Sequence, residues 1–346
     1  MISKNTYTIE HVVALREKYK KDPSLLERVL FAFGLLEALV RVGMPFIFKG
    51  GTSLMLILEK TLRLSTDIDI LVKPGTNVNR YIDEASKLFP FKSFEEDRRI
   101  GKNNVEKRHF KFVYNSPLRN DEFYILLDIV FAENPYQTVE THQINSELLL
   151  HDGAPLNVSV PSAECILGDK LTAFAPHTTG IPFGVDKELE IVKQLFDVAS
   201  LSEQIVDYQA LRSTYDRAVA DEIAYRDISV TRDDVLWDTI RSCVCVIGKG
   251  VYDKDEFPFF LKGIRAVGGH VLSMKYSAPI AAEQAARVMR LAACLLTKQE
   301  FVPIDEVENY LHENIGKSRY KKLSYMRNQN LEAFAHIVEA LRLIGE

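Results

Sequence analysis

Two aspartates with one residue between them, Asp67 and Asp69, lie inside an apolar run that reads as a β-strand. Side chains two positions apart on a strand face the same way, so both carboxylates are expected on one side. Neighbouring carboxylates repel each other unless a cation lies between them. Oxygen ligands of this kind suit magnesium, with substrate phosphates completing its coordination. The spacing therefore predicts a magnesium site held by Asp67 and Asp69.

A glycine pair upstream predicts a phosphate-binding turn. The apolar segment 45–48 reads as a short strand, Gly50 and Gly51 follow it, and residues 52–60 have the composition of a helix. Glycine permits the tight turn and the close backbone approach that a side chain would block. The free N–H groups and the positive dipole end at the start of the helix would then face an anion.

Two hydroxyls follow the glycines. Thr52 and Ser53 could donate further hydrogen bonds to the anion, or one of them could cap the helix. Each motif alone is weak, because a Gly-Gly pair is usually a turn and an Asp-x-Asp pair is usually a solvated strand edge or a helix cap. Their order favours one site for a nucleoside triphosphate and its metals, because the glycines open a helix and the aspartates follow on the next strand.

The sequence around these motifs resembles the DNA polymerase β-like nucleotidyltransferase superfamily. The string Lys-Gly-Gly-Thr-Ser-Leu at 49–54, with Arg-x-Ser-x-Asp-Ile-Asp at 63–69, is similar to the AbiEii/MenT-type branch. That branch comprises the toxin halves of type IV-like toxin–antitoxin pairs, and the resemblance extends over about residues 46–201. It implies a two-metal magnesium site and a set of residues that bind the nucleoside triphosphate: Lys49, Gly50, Gly51, Thr52, Ser53 and Ser65.

A third carboxylate is expected from a later strand. Asp128 lies in the middle of the apolar run 123–131, where an aspartate is costly to bury without a partner. An ion pair with an arginine, or capping of a neighbouring strand, would explain it structurally. The superfamily resemblance implies instead that Asp128 binds the catalytic metal and takes the proton from an attacking hydroxyl.

The resemblance also implies two residues on helices downstream. Residues 161–174 read as a helix with Ser162 at its start, and Lys170 lies where the branch presents a lysine to the triphosphate. Without the resemblance, Lys170 would read as an ordinary surface lysine. Residues 186–198 read as a second helix, on which Asp197 matches a catalytic aspartate of the branch, either as a polar support or as a partner of Lys170.

The chain departs from the branch between these two helices, where it has no arginine. The loop 176–184 contains two prolines and two glycines, a composition typical of an ordered connection. The role of the missing arginine would fall to Lys187, Lys193 or His177, or would be absent.

The surrounding elements indicate an α+β fold, with a mixed sheet flanked by helices and then a helical region. Asp22 and Pro23 open a predicted helix over 22–41, and strands are predicted at 105–114 and 122–131. Strand signals fade after about residue 201, and helices are predicted at 234–247, 281–296, 305–314 and 331–343. We therefore expect a nucleotidyltransferase domain at 1–204 and a helical domain at 205–346.

Composition is that of an ordinary globular protein. The 346 residues are 47% hydrophobic and carry a formal net charge of −5, so the surface as a whole does not indicate nucleic-acid binding. No membrane-spanning run and no signal peptide are evident, which predicts a cytoplasmic protein without a membrane partner. The four cysteines are expected to be buried thiols, and the eight scattered histidines suggest no histidine metal site.

Two local basic segments could nevertheless bind RNA. One combines 98–102 with basic residues between 107 and 111, and the other is 317–327, where tyrosines alternate with lysines and arginines. Basic side chains would bind phosphates and tyrosines could stack on unpaired bases. A solvated helix face is the alternative interpretation of either segment.

These patterns favour a magnesium-dependent nucleotidyltransferase that transfers a nucleoside monophosphate from a nucleoside triphosphate to an acceptor hydroxyl. The resemblance implies a toxin that modifies the 3′ end of tRNA and is inhibited by a cognate antitoxin protein. Two alternatives remain open. The acceptor could be a small molecule or a protein hydroxyl, or the fold could serve as a catalytically inactive nucleotide-binding or interaction protein.

Overall fold

The computed structural model describes residues 1–97 and 106–346, which form two compact units. Unit 1 comprises Met1–Ser162 together with Gly269–Lys275, and unit 2 comprises Ala163–Gly268 together with Tyr276–Glu346. The domain boundary expected near residue 204 stays a prediction.

Unit 1 contains four α-helices, a short 3₁₀ helix at Lys4–Tyr7, a five-stranded sheet and a separate two-stranded sheet among its described residues. Its elements in chain order are α1 (Ile9–Tyr19), α2 (Pro23–Arg41), β1 (Ile47–Lys49), α3 (Gly50–Ile57), β2 (Ile68–Val72), α4 (Asn79–Ser86), β3 (Phe91–Asp97), β4 (Lys107–Asn115), β5 (Glu122–Phe131), β6 (Val139–Gln143) and β7 (Asn157–Pro161).

The larger sheet has the strand order β1-β2-β5-β4-β3, and the smaller one pairs β6 with β7. Within the larger sheet, β2 and β5 are parallel, whereas the other neighbouring strands are antiparallel. Burial alternates along β5, so that one side chain in two enters the core and the next faces a more open surface. The predicted strand over 122–131 is confirmed at both ends.

Helix α2 covers the buried face of this sheet. Asp22 caps its first turn by accepting a hydrogen bond from the Leu25 N–H, as the sequence predicts. Phe31 stacks on Tyr114 of β4 with ring centroids 3.7 Å apart. Beside this pair, the buried Glu27 carboxylate accepts a hydrogen bond of 3.0 Å from the Tyr114 hydroxyl. Charge-assisted hydrogen bonds of this kind offset the cost of burying the carboxylate.

The regular elements of unit 2 are all helices among its described residues. Its α-helices are α5 (Ala163–Ala173), α6 (Glu188–Ser202), α7 (Tyr208–Arg226), α8 (Arg232–Ile247), α9 (Phe257–Val267), α10 (Ala278–Thr297), α11 (Met326–Gln329) and α12 (Leu331–Leu343). Helix α10 packs against α6, α8 and α12. Its many buried alanines allow this close approach, because a small side chain lets helix axes come near one another.

The α+β class with a helical C-terminal region is therefore confirmed. The helix predicted over 305–314 is wrong, because this segment forms a short 3₁₀ helix at Val307–Tyr310. Asp305, Glu306 and Glu308 place negative charges in a segment with few apolar side chains, so little burial is available to propagate a helix. Strand β2 begins at Ile68, one residue later than predicted.

The state of the cysteines and the apolar character of the helices bear on two predictions from the composition. All four cysteines are buried thiols, and burial raises the pKa of Cys294 to about 11. Within 1–97 and 106–346, no helix combines the length and the apolar character needed to cross a membrane.

Candidate functional site

One row of polar residues crosses the entire five-stranded sheet of unit 1. Asp69 of β2 lies opposite Asp128 of β5, which lies opposite His109 of β4. Lys49 of β1 pairs with Asp69, and Asp97 of β3 pairs with His109 at the two ends of the row. Directly opposed residues on neighbouring strands share one face of a sheet. Because Tyr114 packs under α2 and lies an odd number of positions from His109, the row lies on the face opposite α2.

The glycine pair forms the start of α3 beside this row. Gly50 has φ +79°, in the left-handed region that favours glycine, and a Cβ there would overlap the Asp69 carboxylate. At Gly51 a Cβ would lie 2.6 Å from an Arg63 guanidinium nitrogen and 2.9 Å from the Ser65 hydroxyl oxygen. The glycines thus bring backbone N–H groups, a carboxylate, a guanidinium and a hydroxyl into one small region.

The hydroxyls of Thr52 and Ser53 are fully buried and serve the local backbone. Thr52 donates a hydrogen bond of 2.6 Å to the Asp67 carbonyl, which ties α3 to the start of β2. Ser53 donates a bond of 2.8 Å to the Gly50 carbonyl. Neither hydroxyl caps α3, whose N-cap position is Lys49. Any contact of these two residues with phosphate would therefore come from their backbone N–H groups.

Asp67 lies outside β2, so strand alternation does not set its direction. Its carboxylate is 3.5 Å from the Arg28 guanidinium of α2, and 44% of its side chain is exposed. The Thr66 hydroxyl donates to it as well, over 3.3 Å. The predicted metal ligand thus has an exposed carboxylate that is already partly neutralised by an arginine.

Asp128 has a different partner from the arginine that the sequence offered as an alternative. The imidazole Nδ1 of His109 is 2.6 Å from Asp128 Oδ1. The His109 side chain is 14% exposed and the Asp128 side chain 34% exposed, so the carboxylate is the more open member of the pair.

Carboxylate oxygens, the donors that suit magnesium, are present on and beside this face. Asp69 and Asp128 lie opposite each other, Asp67 immediately precedes β2, and glycine at position 50 lets the Asp69 carboxylate lie against the start of α3. No group of three His, Cys, Asp or Glu side chains converges as a ready metal site within 1–97 and 106–346. A cation here would share Asp67 with Arg28 and Asp128 with His109.

Lys170 and Asp197 form a buried ion pair in unit 2. The Lys170 ammonium nitrogen is 2.7 Å from Asp197 Oδ2, and the two side chains are 8% and 1% exposed. Gln194 accepts a further hydrogen bond of 3.3 Å from the same ammonium. The interpretation of Lys170 as an ordinary surface lysine is therefore wrong, and the interpretation of Asp197 as its partner is confirmed.

His177 is held by two carboxylates of unit 2. Its Nδ1 is 2.5 Å from Asp238 Oδ1 and its Nε2 is 2.7 Å from Glu256 Oε1. The hydrogen bond to Asp238 raises the pKa of His177, partial burial opposes this, and Glu256 raises it further. Of the other two cations offered for the missing arginine, Lys193 pairs with Glu190 of its own helix over 3.0 Å.

The second basic segment, 317–327, is only partly available to a ligand. Lys317, Lys321 and Lys322 are exposed, whereas the Tyr325 hydroxyl donates to the Ile247 carbonyl over 2.6 Å. Of the first basic segment, residues 98–102 lie outside the described residues.

Three side chains of this region were not assigned roles from the sequence. In the sequence, His109 lies among the basic residues between 107 and 111, Arg63 begins the motif at 63–69, and Arg28 lies within the predicted helix 22–41. Arg63 is 5% exposed. Its guanidinium lies beside the N-terminus of α3, so a positive charge lies next to the positive end of the helix dipole. The signal that could have marked it is its position four residues before Asp67, inside the motif itself.

The chain matches a known family. A family model described as nucleotidyl transferase AbiEii toxin, type IV toxin–antitoxin system, matches residues 34–243, more than half of the chain. The chain belongs to the AbiEii family. The match begins in α2, ends in α8 and includes all five predicted catalytic residues: Asp67, Asp69, Asp128, Lys170 and Asp197.

Two solved structures from Helicobacter pylori are similar to this AbiEii chain. The protein JHP933 is 16% identical, with a TM-score of 0.46 over 83% of this chain and 99% of that one. A candidate nucleotidyltransferase is 15% identical, with a TM-score of 0.47 over 80% of this chain and 99% of that one. No curated protein sequence matches the chain.

The buried pair in this AbiEii chain allows structure and function to be separated by paired substitutions. We expect Lys170→Met to lower the free energy of unfolding by about 3–5 kcal/mol, because the Asp197 carboxylate is left buried without its partner. Lys170→Met with Asp197→Leu should recover most of that loss, as measured by urea unfolding. If Lys170 also acts on substrate, nucleotide transfer stays lost in the double variant; transfer that returns with stability would assign the pair to the fold alone.

The His177 interaction predicts a pH dependence of stability. A histidine whose folded pKa is raised stabilises the fold fully below its unfolded value of about 6.5, and the stabilisation disappears as pH rises through the folded value. The free energy of unfolding of wild type minus that of His177→Gln should therefore be largest near pH 5 and shrink towards pH 9. The exposed His312→Gln serves as control, and an equal difference at both pH values would contradict the assignment.

Proposed function

We propose that this AbiEii chain is a magnesium-dependent nucleotidyltransferase that transfers a nucleoside monophosphate to an acceptor hydroxyl. The observation that supports this most is the placement of Asp69 directly opposite Asp128, beside the Gly50 turn at the start of α3. Carboxylates that receive metal and an N-terminus that receives phosphate are the two requirements of phosphoryl transfer from a nucleotide.

The triphosphate would bind at the start of α3. The N–H groups of Gly50, Gly51 and Ser53 face the β- and γ-phosphates in this proposal, with the positive end of the helix dipole behind them. Arg63 adds a buried guanidinium at Gly51, and Ser65 adds a hydroxyl. The lysine that precedes Gly50 lies at the end of the polar row, and its ammonium is 5.9 Å from the centroid of the Tyr136 ring.

Asp67 and Asp69 would hold both ions of a two-magnesium site, and Asp128 would be a further ligand of one of them, the catalytic ion. Bound magnesium would neutralise the triphosphate charge and make the acceptor hydroxyl more acidic. Asp128 also lies where it could accept a proton, since a third of its side chain is exposed. Its carboxylate therefore serves as ligand and base in the same proposal.

The proposed reaction is a single displacement at the α-phosphorus of the nucleoside triphosphate. The acceptor oxygen forms a bond to the α-phosphorus while the bond from that phosphorus to the bridging oxygen of the β-phosphate breaks. Pyrophosphate leaves with the electron pair, and the hydroxyl proton passes to Asp128. Lys170, oriented by Asp197, neutralises negative charge on the triphosphate in this scheme, a role implied by the family resemblance.

The proposed acceptor is the 3′ end of tRNA, and the proposed compartment is the cytoplasm. Membership of a type IV toxin family implies an antitoxin protein as partner. The exposed lysines of segment 317–327 support an RNA acceptor, because solvent-accessible ammonium groups can bind phosphates. Labelled nucleoside triphosphates incubated with the protein, magnesium and total RNA would test the proposal. Label on a small molecule or on protein, with none on RNA, would support the alternative acceptors.

Neutralising either of the proposed metal ligands Asp67 and Asp69 should slow transfer strongly without unfolding the protein. We expect Asp69→Asn and Asp67→Asn to slow transfer by roughly 10²–10³-fold or more, because each removes one negative charge that holds magnesium near the transferring phosphate. Transfer is measured at saturating nucleotide, and circular dichroism verifies the fold. The exposed Asp152→Asn is the matched control. Near-wild-type transfer by Asp69→Asn would exclude the proposed metal site.

The basic segment 317–327 makes a separate prediction about RNA. Replacing Lys321 and Lys322 by glutamine should weaken RNA binding about equally for all sequences, since contacts to phosphate carry no base information. The slope of log affinity against log salt should fall by roughly 0.7–0.9 per lost phosphate contact. Triphosphate affinity should not change. The exposed Lys298→Gln is the control, and an unaltered salt slope would show that the segment is a solvated surface.

A further inference from the structure

His109 is the one residue of the polar row that lies between two carboxylates on neighbouring strands. Its register partners are Asp128 on β5 and Asp97 on β3. We propose that His109 is a positioning residue for Asp128. In this proposal its Nδ1–H donates to Asp128 Oδ1 and restricts the carboxylate, so that Oδ2 would be available to a bound metal ion. This inference rests on the proposed function, because it assigns Asp128 as a metal ligand.

The distance of 2.6 Å between His109 Nδ1 and Asp128 Oδ1 is that of a hydrogen bond. A carboxylate that binds a metal accepts hydrogen bonds and does not donate them, so the proposal places the hydrogen on Nδ1. Metal-binding carboxylates are commonly held by such outer partners, which set the direction of the free oxygen. The bond fixes one oxygen of Asp128 and leaves the other for a ligand.

The backbone makes this restraint stiff. Both residues lie in the interior of long paired strands, β4 and β5, so their Cα positions are fixed by ladder hydrogen bonds on both sides. The His109 ring is also the less exposed member, at 14%. The ammonium of Lys111, on the same face of β4, lies 5.3 Å from the centroid of the Tyr124 ring.

Asp128 and Asp67 have partners of different kinds. The Arg28 guanidinium, 3.5 Å from Asp67, is carried by a long side chain that is 30% exposed. The partner of Asp128, the residue proposed to take the proton, is the short and rigid imidazole of His109 at 2.6 Å. An imidazole on a short side chain restricts the direction of the carboxylate that it contacts.

Manganese binding tests the inference without requiring turnover. The protein is titrated with Mn²⁺ in place of magnesium, and the concentration of free Mn²⁺ is measured by electron paramagnetic resonance. We expect His109→Ala to raise the Mn²⁺ dissociation constant roughly 10–100-fold, the usual effect of losing a residue that orients a ligand. His109→Asn carries an amide donor near the Nδ1 position and should stay within about threefold of wild type. Lys111→Gln, on the same strand and face, should leave the constant unchanged.

The outcomes separate positioning from its rivals. Unchanged Mn²⁺ affinity in His109→Ala, with lowered thermal stability alone, would make the histidine a structural cross-strand partner. Equal weakening in His109→Ala and His109→Asn would make the ring a direct metal ligand. Either result overturns the inference. A ¹⁵N spectrum of the metal-free protein provides a second reading, because a His109 ring protonated on Nε2 alone would overturn it as well.

The same titrations distinguish failure of this inference from failure of the proposed function. If wild type binds Mn²⁺ and Asp69→Asn does not, the proposed metal site is supported, and the affinity of His109→Ala then tests only the positioning role of His109. If Asp69→Asn binds Mn²⁺ as wild type does, the proposed metal site itself is wrong. Wild-type protein that binds no Mn²⁺ would overturn both.

Discussion

The parallel pairing of β2 with β5 is the constraint on which the candidate site depends. It places Asp69 opposite Asp128, and the antiparallel partners on either side then add Lys49 and His109 to the same row. A shift of β5 by one residue would turn the Asp128 carboxylate into the core and bring the apolar Leu127 into its place in the row. The cost of burying a carboxylate without a partner opposes such a shift, so the register that forms the site is also the register that the core favours.

The opposite face of the sheet holds this register in place. Phe31 and Glu27 of α2 contact Tyr114 of β4 by stacking and by a hydrogen bond. Glu27 also accepts a hydrogen bond of 2.9 Å from Ser116, in the turn that joins β4 to β5. Because a buried carboxylate tolerates few alternative arrangements, this network fixes the relation of β4 to β5. The same pairing then sets the approach of the histidine on β4 to Asp128.

Sequence patterns predicted the local elements of the site well and the contacts between them poorly. The run around Asp128 has a strand's composition and the glycine pair opens a helix, so both were accessible from neighbouring residues. The partners of Asp67 and Asp128 were not, because Arg28 and His109 come close only through sheet register and helix packing. The 305–314 segment failed for a related reason, since its helical pattern has too little tertiary burial to support it.

The ion pairs of the two units differ in burial, and burial decides whether a charged group can exchange one partner for another. Lys170 and Asp197 are almost wholly buried, so removing either leaves a charge without solvent and the pair is a fixed feature of unit 2. The Asp67 and Asp128 carboxylates are 44% and 34% exposed, so water can replace a partner at modest cost. A carboxylate that takes up a cation and releases it with product needs this second kind of environment. Asp67 and Asp128, the proposed metal ligands, both have it.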